Sequence, residues 1–183
     1  DSMHNLKKKY SDDIYLMSGL HPTDVKKNYK YELDFVVNSL KSHNYVAIGE
    51  IGIDLYWDKT YLKEQQDAFR FQIKLAVKND LPIVIHCRES FDEIFEILEE
   101  ENCDKLRGVF HCFTGNINQA KKAIGLDTIA MVRNLCTYFT TLRHVPVSSA
   151  KSSKSFILCF DTHSNNVLRV SSSFSTYTLF AII

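Results

Sequence analysis

The sequence predicts an α/β fold built on a parallel sheet, and three observations carry that reading. Between about residues 14 and 126 short apolar runs alternate with helical stripes. The runs are nearly continuous rather than alternating, as in strands buried on both faces. Each run ends in residues capable of chemistry. The first run, residues 14–20 (IYLMSGL), precedes a segment in which Leu33, Val36, Val37 and Leu40 recur at i, i+3, i+4 and i+7. Residues 45–48 (YVAI) form the second run, and its helix, over about 62–78, ends before Pro82. The third run is 82–85 (PIVI). In the helix after it, Ser90 and Glu93 read as a capping box, with Phe91, Ile94, Phe95 and Leu98 as one apolar stripe. Residues 107–110 (RGVF) form the fourth run and lead to a short helix around 117–124.

Composition narrows the class of protein without identifying it. The 183 residues are 45% apolar with 22 Lys+Arg against 22 Asp+Glu, which excludes disorder and collagen and fits one globular domain. Zero net charge and a pI near 7.2 give no whole-protein field to hold a polyanion, so nucleic-acid binding would need a local patch or a bound metal. Five cysteines, odd in number and without a CxxC pair, suit a reducing compartment. No signal peptide is visible, and the apolar-leaning stretch 170–183 is short of the roughly 18 to 20 residues of a membrane helix, so a cytoplasmic protein without a membrane partner is expected. The charge balance hides a split. Residues 1–126 hold 20 of the 22 acids and all six glycines, whereas 127–183 hold two acids, five Lys/Arg and ten serines. The expected organisation is therefore a patterned segment, 1–126, followed by an atypical basic, serine-rich tail, 127–183, of the kind a frameshift or mis-splicing would produce.

The residues after each run carry the functional argument. The first run ends in Gly19, Leu20, His21 and Pro22, the second in Gly49 and Glu50, the third in His86, Cys87 and Arg88, and the fourth in His111, Cys112 and Phe113. In a parallel sheet these ends share one face, where ligands bind, so His21, Glu50, His86 and His111 are expected to converge. Imidazole nitrogen and carboxylate oxygen suit Zn, Mn, Fe or Mg-type ions, and one carboxylate can bridge two of them. Two such ions can polarise a phosphoryl oxygen and activate water, which would let a neutral protein hold a phosphodiester. Neighbouring strand residues point to opposite faces, so a Cys–His nucleophile pair within His86–Cys87 or His111–Cys112 is not expected. The chain has no GxGxxG, P-loop or GxSxG, which disfavours a nucleotide cofactor.

At these residues the sequence resembles a known family. AIGEIGIDLYWDK at 47–59, the following EQQDAFRFQIKLA, LPIVIHCRES at 81–90, GVFHCFTG at 108–115 and SGLHPTDV at 18–25 are similar to the TatD family of metal-dependent deoxyribonucleases. The resemblance covers about residues 14–125. It implies an incomplete (β/α)8 TIM barrel of amidohydrolase type lacking the first strand, with divalent metal ions, two in the complete enzyme and of the Mg, Mn or Zn kind, and hydrolysis of DNA phosphodiester bonds, often from a 3′ end. On the matching positions Glu50 would be the catalytic, bridging ligand, with His86 and His111 as imidazole ligands. Asp54 matches the motif, yet could equally cap the loop or the next helix. His21 reads as a substrate contact or a structural turn residue, since Pro22 forces it out of helical geometry. Arg88 could clamp a phosphate or pair with a nearby acid. Tyr56 and Trp57 could stack on a base or pack a loop.

The departures from the family are as specific as the match. The family's opening His-x-His is absent, and the lone His4 does not replace it. No Gly follows Gly125, and Asp161 falls about where a metal-binding Asp is expected although its surroundings, CFDTHSNN, do not match. Three readings follow: a DNase-type metal hydrolase with DNA as its substrate; a hydrolase of the same superfamily acting on an ester, lactone or amide; and an inactive product with at most weak metal binding.

Overall fold

A computed structural model describes residues 2–10, 15–126, 128–133 and 158–160, the last two stretches as backbone strands. The remainder of the serine-rich tail, including Asp161, lies outside the described residues. The elements run α1 (Ser2–Lys9), β1 (Met17–Ser18), a 3-10 turn (Pro22–Asp24), α2 (Tyr29–Ser42), β2 (Ala47–Asp54), α3 (Leu62–Lys78), β3 (Ile83–Arg88), α4 (Phe91–Glu100), β4 (Gly108–Phe113), α5 (Ile117–Gly125), β5 (Thr128–Arg133) and β6 (Leu158–Phe160). All six strands form one parallel sheet in the order β1-β2-β3-β4-β5-β6. Each strand lies beside its successor, without the reversal of order that defines a doubly wound sheet, so the winding is that of a barrel. The fold is α/β, as the alternation of runs and stripes predicts. Among the described residues no helix is long and apolar enough to cross a membrane.

Burial explains why the strand sequences read as continuous apolar runs. Seven of the eight residues of β2 are buried, because helices cover one face of the sheet and side chains fill the other. Ile48, Ile51 and Ile53 of β2, Ile83 and Ile85 of β3 and Phe110 of β4 pack with Phe69 and Ile73 of α3 and Ile94, Phe95 and Leu98 of α4. Each large side chain so buried contributes roughly 1.5–3 kcal/mol. A second, smaller cluster joins Leu20 and Val25 to Leu33 and Val36 of α2 and Ala68 of α3.

The strands extend further than the apolar runs suggest. β3 continues through His86 and Arg88, and β4 through His111 to Phe113, with Gly52 opposite His86 and Asp54 opposite Arg88 in the ladder. Glu50, His86 and His111 therefore stand within the strands of the sheet, whereas His21 lies in the turn that follows β1. Gly52 is required there. Its φ is +140°, and a Cβ would lie 2.0 Å from the His86 carbonyl oxygen.

Two local expectations are corrected. Ser90 does not cap α4: its hydroxyl donates to the Ile53 carbonyl at 2.7 Å, tying the end of β2 to the β3–α4 turn. That buried acceptor leaves the hydroxyl unavailable to the helix N-terminus. A full capping box occurs at α5 instead, where Asn116 Oδ1 accepts from the amides of Asn118 and Gln119, and Gln119 Oε1 accepts from the Asn116 amide. The expectation that adjacent His111 and Cys112 diverge is also wrong. Cys112 has a φ of +48°, which breaks strand alternation and brings its Sγ within 3.0 Å of His111 Nε2.

Candidate metal centre

Three strands and the turn after β1 deliver side chains to one place. Donor atoms of His21, Glu50 and His86 all lie within 4.8 Å of one another. His21 Nε2 stands 3.3 Å from His86 Nδ1, and each of these nitrogens is 3.8 Å from Glu50 Oε2. The other oxygen, Glu50 Oε1, is 3.8 Å from His111 Nε2. One carboxylate thus faces two imidazoles with one oxygen and a third with the other, the disposition a bridging ligand needs.

Irregular strand geometry aims these side chains. Between Gly49 and Ile51, β2 advances two residues while β3 advances one, so Glu50 is the extra residue of a bulge. Between Phe110 and Phe113 the same happens in β4 relative to β5, at the segment holding His111. Bulges redirect side chains without ending the ladder. Beneath β4, Phe91, Phe95, Phe110 and Phe113 interlock, with Phe91–Phe113 and Phe110–Phe113 ring centroids 5.2 and 5.6 Å apart, and fix the strand that carries His111.

Asp54 holds both the loop that follows β2 and an imidazole of the cluster. It is buried, its Oδ2 is 2.9 Å from His86 Nε2, and its Oδ1 accepts from the Tyr56 amide at 3.0 Å. A carboxylate on the far nitrogen of an imidazole fixes the ring's orientation and tautomer, leaving Nδ1 of His86 facing Glu50 and His21. His21 is likewise held from behind, with Nδ1 2.7 Å from Thr23 Oγ1 and 3.3 Å from the Thr23 amide, where it caps the 3-10 turn. It is both the turn residue and a member of the cluster.

The electrostatics suit cation binding. The neighbouring His86 ring, with further help from His111 and His21, holds the Glu50 carboxyl below its ordinary value despite burial. Burial, and then His86, keeps His21 below its ordinary value and so neutral. Burial pulls His86 down more than any other single influence, but Glu50 and Asp54 together outweigh it and raise the group. The donor set fits a divalent ion on geometry as well. Donors each roughly 2.1 Å from one tetrahedral ion stand about 3.4 Å apart, and the separations of 3.3, 3.8 and 3.8 Å among His21, His86 and Glu50 need only a small contraction. His111 adds a buried ring nitrogen, Nδ1, with no hydrogen-bond partner.

Residues 1–158 match the family described as TatD related DNase. The chain belongs to the TatD family. Its relatives include a Buchnera aphidicola protein named an uncharacterised metal-dependent hydrolase, 32% identical in an alignment of 161 residues that covers 80% of this chain and 61% of the relative. A Methanocaldococcus jannaschii protein of the same description is 40% identical over 119 residues, 64% of this chain and 44% of its own. The crystal structure of YjjV, a TatD homologue of Escherichia coli, superposes with a TM-score of 0.67 at 30% identity, over 76% of this chain and 54% of that one. A TatD family hydrolase of Entamoeba histolytica shares the fold at 22% identity with a TM-score of 0.62. The chain spans about half the length of the curated relatives it matches.

Arg88 and two glutamines complete the surroundings. Among the described residues no acid pairs with Arg88; its guanidinium instead lies 3.7 Å from the Tyr56 ring centroid. Sequence reasoning passed over Gln65 and Gln72. Gln65 Oε1 accepts from the Asp54 amide at 2.9 Å while its Nε2 donates to the Asp54 carbonyl at 3.3 Å. Gln72 makes the same pair with Leu20, at 2.7 and 3.2 Å, directly before His21. The signal was present: seven residues apart, both fall on the stripe of α3 that also carries Ala68, Phe69, Ile73 and Ala76, where an uncharged amide is out of place unless it has a buried partner.

Proposed function

We propose that this chain carries the metal-binding half of a hydrolase that cleaves DNA phosphodiester bonds. The observation supporting it most strongly is the placement of Glu50 between His21 and His86 on one side and His111 on the other, at the C-terminal edge of a barrel-type parallel sheet. Glu50, His86 and His111 would hold divalent ions of the Mg, Mn or Zn kind, two in the complete enzyme, with His21 beside them and Asp161 as a further candidate ligand. A bound divalent ion supplies Lewis acidity toward a phosphoryl oxygen and makes water nucleophilic at neutral pH. The residues of the chain orient and charge the site. Glu50 is kept ionised, His21 neutral, and His86 turned by Asp54. Arg88, exposed two residues beyond His86 on the same rim, offers in-plane N–H donors to a phosphate. Hydrolysis adds water across one P–O bond and releases a phosphate monoester and a free hydroxyl. The free thiols of Cys87, Cys103 and Cys112 fit a reducing, cytoplasmic setting.

The test is to measure Mn²⁺ binding by calorimetry alongside cleavage of single-stranded DNA and of small esters by the full chain. Binding and DNA cleavage should both be lost in Glu50→Ala and His86→Ala. Metal binding that persists in both variants, or cleavage of esters with none of DNA, overturns the reading.

A further inference from the structure

Past the last rung of β2 the chain exposes two large rings. Trp57 is 77% exposed and Tyr56 50%, although both directly follow a strand whose every apolar residue is buried. Their ring centroids are 4.6 Å apart at 89°, so each keeps one face clear of the other. Arg88, from the end of β3, lays its guanidinium over Tyr56 at 3.7 Å and reaches within 5.8 Å of Trp57. Stacking uses the flat face of a guanidinium and leaves its edge donors free, and here no acid takes them up among the described residues. Among the described residues, the group therefore presents an open indole face beside a planar cation that no acid pairs.

Its position is coupled to the metal centre by a single side chain. The carboxylate that holds His86 through Oδ2 holds the Tyr56 amide through Oδ1, and the Leu55 amide donates to the Arg88 carbonyl at 2.9 Å. The backbone of the aromatic loop and the His86 ring are thus both tied to one buried Asp54.

The geometry points to a nucleotide-recognition platform in which Trp57 stacks on a base of single-stranded DNA while Arg88, held flat by Tyr56, takes the adjoining phosphate. This rests on the DNA reading above and names the part of the substrate that reading leaves open. A flat ring next to a guanidinium edge matches a base next to its phosphate, whereas a small ester or lactone offers no second group for the pair. Every base has a π-face, so the contact would be indifferent to sequence.

The molecule supplies its own probe, since Trp57 is the single tryptophan of the chain. Titrating the metal-free full chain with an oligothymidylate should quench its indole fluorescence saturably, and an abasic oligonucleotide of equal length should not. By anisotropy of a labelled strand, Trp57→Ala should weaken binding of the base-bearing strand at least about fivefold and leave the abasic strand unaffected, while Trp57→Phe restores most of the loss. Arg88→Ala should weaken both strands alike. Tyr31→Ala, at an exposed ring on α2, serves as the control and should change neither. Equal quenching by both strands, no quenching by either, or unchanged affinity in Trp57→Ala overturns the platform. DNA cleavage that survives in Trp57→Ala with unaltered affinity would sink this inference and leave the hydrolase reading standing. Base-dependent quenching without DNA cleavage would do the reverse.

Discussion

Asp54 is the residue on which the candidate site turns, because it holds an imidazole with one oxygen and a loop amide with the other. Asp54→Asn keeps the shape and removes the charge that raises the basicity of His86. It should weaken Mn²⁺ binding by about 10- to 100-fold with little loss of secondary structure, which calorimetry and circular dichroism would read together. The half-and-half reading of Asp54 from sequence reflects a real limit: a carboxylate four residues past Glu50 on an apolar strand can face the loop or the pocket, and only the ring it meets decides. Cys87 illustrates the opposite case. Its neighbour His86 points into the site while the thiol, buried and in contact with Ser90 Oγ at 3.7 Å, is driven by burial from the ordinary 9.0 up to about 12. The folded state then holds a proton that the unfolded chain releases, so stability conferred at neutral pH falls as pH rises from 9 toward 12. Urea midpoints at pH 8 and pH 10 should differ more in the wild type than in Cys87→Ala. Equal differences in the two proteins would show that the thiolate is not excluded.

At the scale of elements, α3 does more than cover the sheet. Its Gln65 and Gln72 each satisfy both polar groups of one peptide residue at a strand end, Asp54 and Leu20, which lie next to site residues. Replacing Gln72 with Ala would leave the Leu20 amide and carbonyl buried without partners, at a cost of about 2 kcal/mol or more, and would free the segment bearing His21. A fall in the urea midpoint accompanied by weaker metal binding is the expected result, while loss of stability alone would show that His21 is held by Thr23 without help. The helices themselves were legible: the stripes at Leu33–Leu40 and Phe91–Leu98 follow directly from a period of 3.6. The capping of α4 was not, because Ser90 matches the box pattern while a buried carbonyl 37 residues earlier in the chain, that of Ile53 on β2, takes its hydroxyl.

For the whole molecule, a candidate centre assembled from three strands and the turn after β1 would link any metal binding to folding. His21, Glu50, His86 and His111 are spread over some ninety residues and come within reach of one another only in the folded sheet. An ion that binds the native state alone stabilises it by about 2.7 kcal/mol at a concentration 100 times its dissociation constant. The melting temperature should therefore climb with added Mn²⁺ or Zn²⁺, and in Glu50→Ala it should stay flat. A rise of equal size in that variant would place the ion elsewhere.

The sequence by itself determined the alternation of strands and helices, the family, and the list of residues that follow each apolar run, because periodicity and residue type are local properties that survive without a structure. The tertiary structure decided how those residues meet. The bulges at Glu50 and His111, the positive φ that brings Cys112 onto His111, and the two buried amides of α3 all depend on register between strands distant in sequence, which no window along the chain contains. Alternation on a regular strand would have pointed Cys112 away from His111, and a bulge of one residue reversed that outcome.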